Sequence, residues 1–344
     1  MPFGHHNGGW YQPLNPNEHV YTEGYGFSTR PPILIERQLI TRCSAAVVLC
    51  LVAHMFLSSF LTQFFIDCFF TLLPMNYYPL LSDAVTQLAQ IIAYALSLTI
   101  PFLLYSMYIK IPLAAAMPIK QVSVGLIVGT TFASMAVSLV ALYASDITRY
   151  LFYFFGISFY EPLTVLPSDI LGTILYIINM TVLPAVFEEF AFRGVLMQSF
   201  RRFGDGFALI CSSILFALVH ISPISMPHAF IMGLVIGYFV LFTGSLHTGM
   251  IIHFVYNLLS IIISQLYLLE PTLANILFHI IQASFAISGL IAMIWLAKSY
   301  QNMFALKSSN TINRSDQKLR CFFLTVPFFL FMITIVVQAG GFLL

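Results

Sequence analysis

Charge is what this chain most lacks: 344 residues carry 14 Lys and Arg and 13 Asp and Glu, 8 % of the sequence, while hydrophobic residues make up 59 %. Soluble domains carry about a quarter charged residues. So little charge excludes a soluble globular protein, a disordered tail and a nucleic-acid binder. Cysteine is also sparse. The five (Cys43, Cys50, Cys68, Cys211, Cys321) are odd in number, scattered and mostly inside apolar runs, which excludes a disulfide or zinc framework and leaves them as small packing residues. There is no Gly-x-Ser-x-Gly, no Ser–Lys or Ser–His pairing and no His-Glu-x-x-His, so serine or ordinary zinc-protease chemistry has no support. No internal repeat and no low-complexity run is present.

What is there in abundance is long apolar runs. Their lengths predict an all-α polytopic membrane protein of about nine transmembrane helices, near 43–66, 84–108, 122–144, 170–200, 206–221, 228–244, 247–268, 272–297 and 321–342. Each approaches the roughly 20 residues a bilayer demands. Pro and Gly punctuate the connections, among them Pro74, Pro112, Pro167, Gly204, Pro223 and Pro271. The chain divides into an N-terminal tail (1–40), N-terminal helices (41–169), a core (170–268) and C-terminal helices (269–344) with a linker at 298–320.

The few cations sort by connection. Arg30, Arg37, Arg42, Lys110, Lys120, Arg201, Arg202, Lys298, Lys307, Arg314, Lys318 and Arg320 all fall on alternate connections, and thus on one side. The opposite loops hold Asp67, Asp83, Asp146, Glu161, Asp169 and Glu270 against a single Arg149. The positive-inside rule puts the N-terminus in the cytoplasm and, with nine spans, the C-terminus outside. The first 35 residues show no signal-peptide pattern. They are polar, rich in Gly and Pro, and carry Trp10, Tyr11, Tyr21, Tyr25 and Phe27, as expected of a flexible cytoplasmic tail. The stretch Ile147–Tyr160 reads as an aromatic outer loop.

An ionisable group inside a span is costly and points to function. Glu188, Glu189 and Arg193 share one span interior. Glu189 and Arg193, at i and i+4, can neutralise each other. Glu188 lies about 100° round the helix with no local partner, so it must find a remote partner, take up a proton or face water. Pro184, one turn earlier, loosens the ladder. The plainer reading is an interhelical salt-bridge cluster.

Two further sites bear on the choice. His220 closes the fifth run, and Glu188 and His220 each lie sixteen residues from Gly204 at the hairpin turn. Equal separations in an antiparallel hairpin mean equal depth, about 24 Å from the turn. His253 and Asn257, at i and i+4, share a face of the seventh span and could point into the same cavity. A carboxylate and a histidine can together deprotonate water, and a second histidine with an amide can donate to an oxyanion. The set suits water attack on a peptide carbonyl. His5, His6, His19, His54, His228, His247 and His279 read as tail, interfacial or packing residues, with His247, six residues before His253, the one to watch.

Glu188-Glu189-x-x-x-Arg193, Phe216-x-x-x-His220 and His253-x-x-x-Asn257, in this order and inside spans, resemble the three motifs of the CPBP family. These are intramembrane glutamic endopeptidases that include the type II CAAX prenyl proteases and bacterial bacteriocin-immunity and processing proteins. The likeness runs from about Ile170 to Leu268 and implies a four-helix catalytic core. In it Glu188 is the base, assisted by His220; His253 and Asn257 form the oxyanion site, and Glu189 and Arg193 are supporting residues. The implied substrate is a membrane-associated or lipidated peptide or protein. The bilayer is the expected setting, the cell membrane the expected location, and no nucleic acid is involved. No cofactor is called for. Some members have been described as metalloproteases, and Glu188, His220 and His253 could ligate zinc as a two-His, one-carboxylate set, although Asn257 suits hydrogen bonding better than ligation. The aromatic tail and the ninth span have no counterpart in the family pattern. Two rivals stay open: a transporter or proton relay built on the same groups, and a non-catalytic peptide-binding immunity or scaffold protein.

Overall fold

The computed structural model describes residues 32–159, 165–300, 303, 305–306 and 311–343, together with the backbone of two paired two-residue strands, β1 (Tyr21–Thr22) and β2 (Gly26–Phe27). The rest of the expected N-terminal tail, with Trp10, Tyr11, Tyr25 and the three tail histidines, lies outside the described residues, as do Arg30, Glu161 and Lys307.

Apolar runs become helices because a bilayer offers the backbone no other partner for its N–H and C=O groups. α1 (Pro32–Leu72) starts on a proline, whose missing N–H costs nothing in a first turn. It is followed by α2 (Tyr78–Tyr108), a single turn α3 (Leu113–Ala116) and α4 (Val124–Phe154). The next helix, Ile170–Phe203, begins as α5 (Ile170–Ile177) and ends as α6 (Met197–Phe200). Then come α7 (Asp205–Leu218), α8 (Met226–Thr243), α9 (Leu246–Leu266), α10 (Pro271–Ser299), α11 (Ser315–Phe323) and α12 (Val326–Ala339).

Each of the nine apolar runs is helical, but they are not nine equal spans. Among the described residues seven helices are long and apolar enough to cross a membrane, and the pair 315–323 and 326–342, bent by 65°, is an eighth at most. The run near 206–221 yields α7, whose 14 residues reach only about 21 Å at 1.5 Å per residue. The aromatic stretch expected as a loop from Ile147 is helix to Phe154, with Tyr150, Tyr153 and Phe154 exposed along it.

The two ends of the bundle are chemically distinct. At one end Leu246 N–H donates to the Pro118 carbonyl at 2.8 Å, Lys318 Nζ donates to the Phe203 carbonyl at 2.7 Å, and Arg37 Nε donates to Asn313 Oδ1 at 2.8 Å. The connections that carry Lys120, Arg201, Arg202 and Lys318 therefore meet there. At the other end Asp83 Oδ2 accepts from Ser168 N–H and Oγ, both at 3.1 Å, and Phe159 bridges to Leu343. The cation-rich connections do share one face.

Packing concentrates around the helix 170–203. Phe192, Phe200, Phe203, Phe207, Phe216, Phe322 and Phe331 are all buried there, with Phe200 edge-on to Phe322 at 5.0 Å. In lipid such contacts stabilise by close packing, since hydrocarbon gives no water-exclusion gain between helices. Glu36, buried at the start of α1, accepts from the Ile312 and Asn313 N–H groups and from Asn313 Nδ2 through one oxygen. α11 and α12 are thereby tied to α1 and to the end of the core helix.

Candidate active site

The helix 170–203 is capped by Asp169, whose Oδ1 accepts from Gly172 N–H at 2.6 Å. It then departs from α winding: residues Ile178–Val182 and Pro184–Leu196 are π-helical. Pro184 supplies a local cause. It has no N–H to donate, and its ring crowds the carbonyl four residues back, so the turn widens to i→i+5 pairing. Carbonyls in the wide segment also take side-chain donors: Gln198 Nε2 to Arg193 O at 3.1 Å and Ser212 Oγ to Phe192 O at 2.9 Å. Buried Asn179 donates to Gln87 and Gln90 of α2, both at 3.0 Å. Glu188, Glu189 and Arg193 all lie on this widened stretch.

Glu189 and Arg193 are 0 % and 1 % exposed and pair at 2.9 Å. Glu189 Oε1 also takes His253 Nδ1 at 2.9 Å, while Arg193 Nη2 donates to the Gly233 carbonyl at 3.3 Å. The guanidinium lies 4.0 Å over the Phe216 ring, and the same ring stands edge-on to His220 at 4.9 Å and to His253 at 5.8 Å. Phe216 thus packs against the Arg193 guanidinium and against both histidine rings at once. Gly249 leaves room for the second Glu189 oxygen: a Cβ there would lie 2.9 Å from Oε2 and 2.6 Å from Val240 Cγ2.

Glu188 also lines a cavity of about 120 Å³ whose polar wall is His54, Tyr94, Glu188 and His220 and whose apolar wall is Leu98, Phe192 and Val219. Glu188 Oε1 accepts the Tyr94 hydroxyl. Glu188 Oε2 is buried without a hydrogen-bond partner and lies 3.9 Å from His253 Nε2.

Hydrogen-bond partners fix which ring nitrogens carry protons. His220 Nδ1 lies 2.7 Å from the Phe216 carbonyl, which can only accept, so Nδ1 is the donor and Nε2 keeps the lone pair in the neutral ring. His253 donates from Nδ1 to the Glu189 carboxylate by the same reasoning. Ser97 Oγ gives its proton to the Tyr94 carbonyl at 3.0 Å, so it accepts from His54 Nδ1 at 3.0 Å. His220 ends the turn after α7, next to Ile221, whose φ of +62° is a genuine outlier for a β-branched residue.

The structure therefore brings Glu188 and His220 to one cavity and places Glu189, Arg193 and His253 in one buried cluster behind it. It does not bring Asn257 to that wall: Asn257 is half-buried one turn beyond His253 and makes no hydrogen bond to another described residue. His54, expected to be an interfacial or hydrogen-bonded packing residue, bonds Ser97 and also lines this cavity. His228 bonds the Tyr256 hydroxyl and lines a second cavity of about 110 Å³ with it. His54 and Tyr94 are the site residues sequence reasoning missed. The signal was a stripe on α2: Gln87, Gln90, Tyr94 and Ser97, spaced three and four apart in an otherwise apolar helix.

Among the described residues no group of three or more His, Cys, Asp or Glu is arranged to hold a metal ion.

Residues 170–259 match the model of the family described as Type II CAAX prenyl endopeptidase Rce1-like. No curated protein and no solved structure matches the chain.

Proposed function

Residues 170–259 are Rce1-like, and from that premise we propose that the chain is an intramembrane endopeptidase of glutamic type, cutting a membrane-associated or lipidated peptide by direct attack of water. The observation that carries the reading is the state of Glu188: one oxygen is held by Tyr94, the other is buried with no hydrogen bond, 3.9 Å from His253 Nε2, and the residue lines a cavity with His220.

The chemistry follows from those groups. Glu188 Oε2 takes a proton as the water oxygen bonds to the scissile carbonyl carbon, assisted by His220 across the same cavity. The carbonyl becomes an oxyanion. His253 can donate to it when Nε2 carries a proton, and Asn257 joins once a peptide opens the α9 side of the cavity. Collapse breaks the C–N bond and returns the proton from Glu188 to the leaving amine. No covalent acyl-enzyme forms. Glu189 and Arg193 hold His253 and take no proton. The N-terminus is cytoplasmic in this reading, in the cell membrane.

The test is cleavage of a panel of farnesylated and unmodified peptides by the purified full-length protein, with and without a chelator. Glu188→Ala and His220→Ala are expected to abolish cleavage while the protein keeps its thermal unfolding transition. Full activity in either variant overturns the assignment.

A further inference from the structure

The family match begins at residue 170, yet half of the polar wall around Glu188 comes from α1 and α2, far earlier in the chain. We propose that these two helices complete the reacting centre: His54 holds the attacking water through Nε2, and Tyr94 is a positioning residue that leaves Glu188 Oε2 as the only oxygen free to act as base. The proposal rests on the endopeptidase reading above.

Water attacking a carbonyl must present a lone pair to the carbon, so both of its hydrogens need acceptors behind it. One goes to the base. The cavity wall holds few other acceptors. Glu188 Oε1 is occupied by the Tyr94 hydroxyl. His220 Nε2 is one candidate, but His220 is exposed beside the left-handed Ile221, a place suited to exchanging protons with the surroundings. His54 is half-buried in the same wall, and its Nδ1 is committed to Ser97, whose own proton is committed to the Tyr94 carbonyl. That chain leaves His54 Nε2 as a lone pair with no partner of its own.

Tyr94 and Ser97 are one turn apart on α2, so a single short segment sets both devices. Tyr94 holds the carboxylate from one side, and Ser97 sets the tautomer of His54, which packs edge-on to Tyr94 at 5.6 Å. His54 thus has one ring nitrogen held by Ser97 and lines the cavity that holds Glu188.

The experiment measures kcat and KM for the full-length protein on a farnesylated, fluorophore-labelled peptide. His54→Ala is expected to lower kcat about 10²-fold through misplaced water, with KM within about threefold. Tyr94→Phe, which keeps the ring, should lower kcat by about tenfold, again at nearly constant KM. Added imidazole should recover part of the His54→Ala rate, and pyrazole, of the same shape but far less basic, should not. Should His54→Ala fail to fold, His54→Gln keeps an acceptor and His54→Leu keeps only volume, and Gln should be the faster. A wild-type kcat in His54→Ala beside an inert Glu188→Ala overturns the proposal and leaves the endopeptidase reading standing. So does equal rescue by pyrazole, or equal rates for Gln and Leu. A wild-type protein as inert as Glu188→Ala on every peptide tried overturns both.

Discussion

His253 Nδ1 lies 2.9 Å from Glu189 Oε1, the same oxygen that takes Arg193. The motif histidine is thus held by the second glutamate of the pair and not by its helical neighbour Asn257. Glu189 balances a buried guanidinium and sets the tautomer of a buried imidazole at once.

Glu189→Gln keeps the shape and removes the charge. An unpaired buried cation costs about 3–5 kcal/mol, so the variant should lose several degrees or more of unfolding temperature in detergent. Glu188→Gln, whose carboxylate faces a cavity instead of a cation, should unfold close to wild type. Differential scanning fluorimetry of the two proteins side by side checks the contrast.

The turn that carries His220 gives a second expectation. Ile221 at φ +62° is strained by about 1–2 kcal/mol relative to glycine, while its half-buried side chain packs on the core. In Ile221→Gly the relief of strain and the lost contact should nearly cancel, leaving stability within about 1 kcal/mol of wild type. Cleavage should nevertheless slow, because His220 loses its fixed approach. Unchanged kcat would show that the turn does not aim the ring.

Gly249→Ala should damage the site without removing a polar group. The new methyl would press on Glu189 Oε2 and on Val240, and overpacking of this kind costs about 1–3 kcal/mol. The loss should appear both in the unfolding temperature and in kcat.

Asn313→Ala probes the C-terminal helices. It removes the side chain that bonds Glu36, Arg37 and the Ile33 carbonyl, leaving a buried carboxylate with fewer donors. A cost of about 1–3 kcal/mol is expected. The tie lies at the far end of α1 from the cavity wall, so kcat for protein still folded should stay near wild type.

Much of this architecture is legible in the sequence, and the failures have physical reasons. Apolar length found every long helix because the bilayer sets the length. Sorting cations by connection found the shared end, because charge cannot be hidden in lipid. Counting residues from Gly204 put Glu188 and His220 at one depth, and they do share a cavity. The same arithmetic missed His54, since a single imidazole in an apolar run carries no mark of what faces it, and Tyr94, since tyrosine is ordinary in membrane helices. Both become visible only when α2 is read as a polar stripe. The i, i+4 rule placed Asn257 beside His253 but could not say which neighbour His253 would choose. That choice is made by a carboxylate on another helix.

The π winding of 178–196 has a consequence for insertions and deletions. A wide turn accommodates a residue that α winding would have to expel. Removing one residue between Pro184 and Glu188 would let the segment relax toward α geometry and swing Glu188 about 100° round the axis, off Tyr94 and out of the cavity. Residue count in this stretch is therefore as much a part of the site as residue identity, and a homologue one residue shorter there would keep the glutamates while losing the geometry that makes one of them a base.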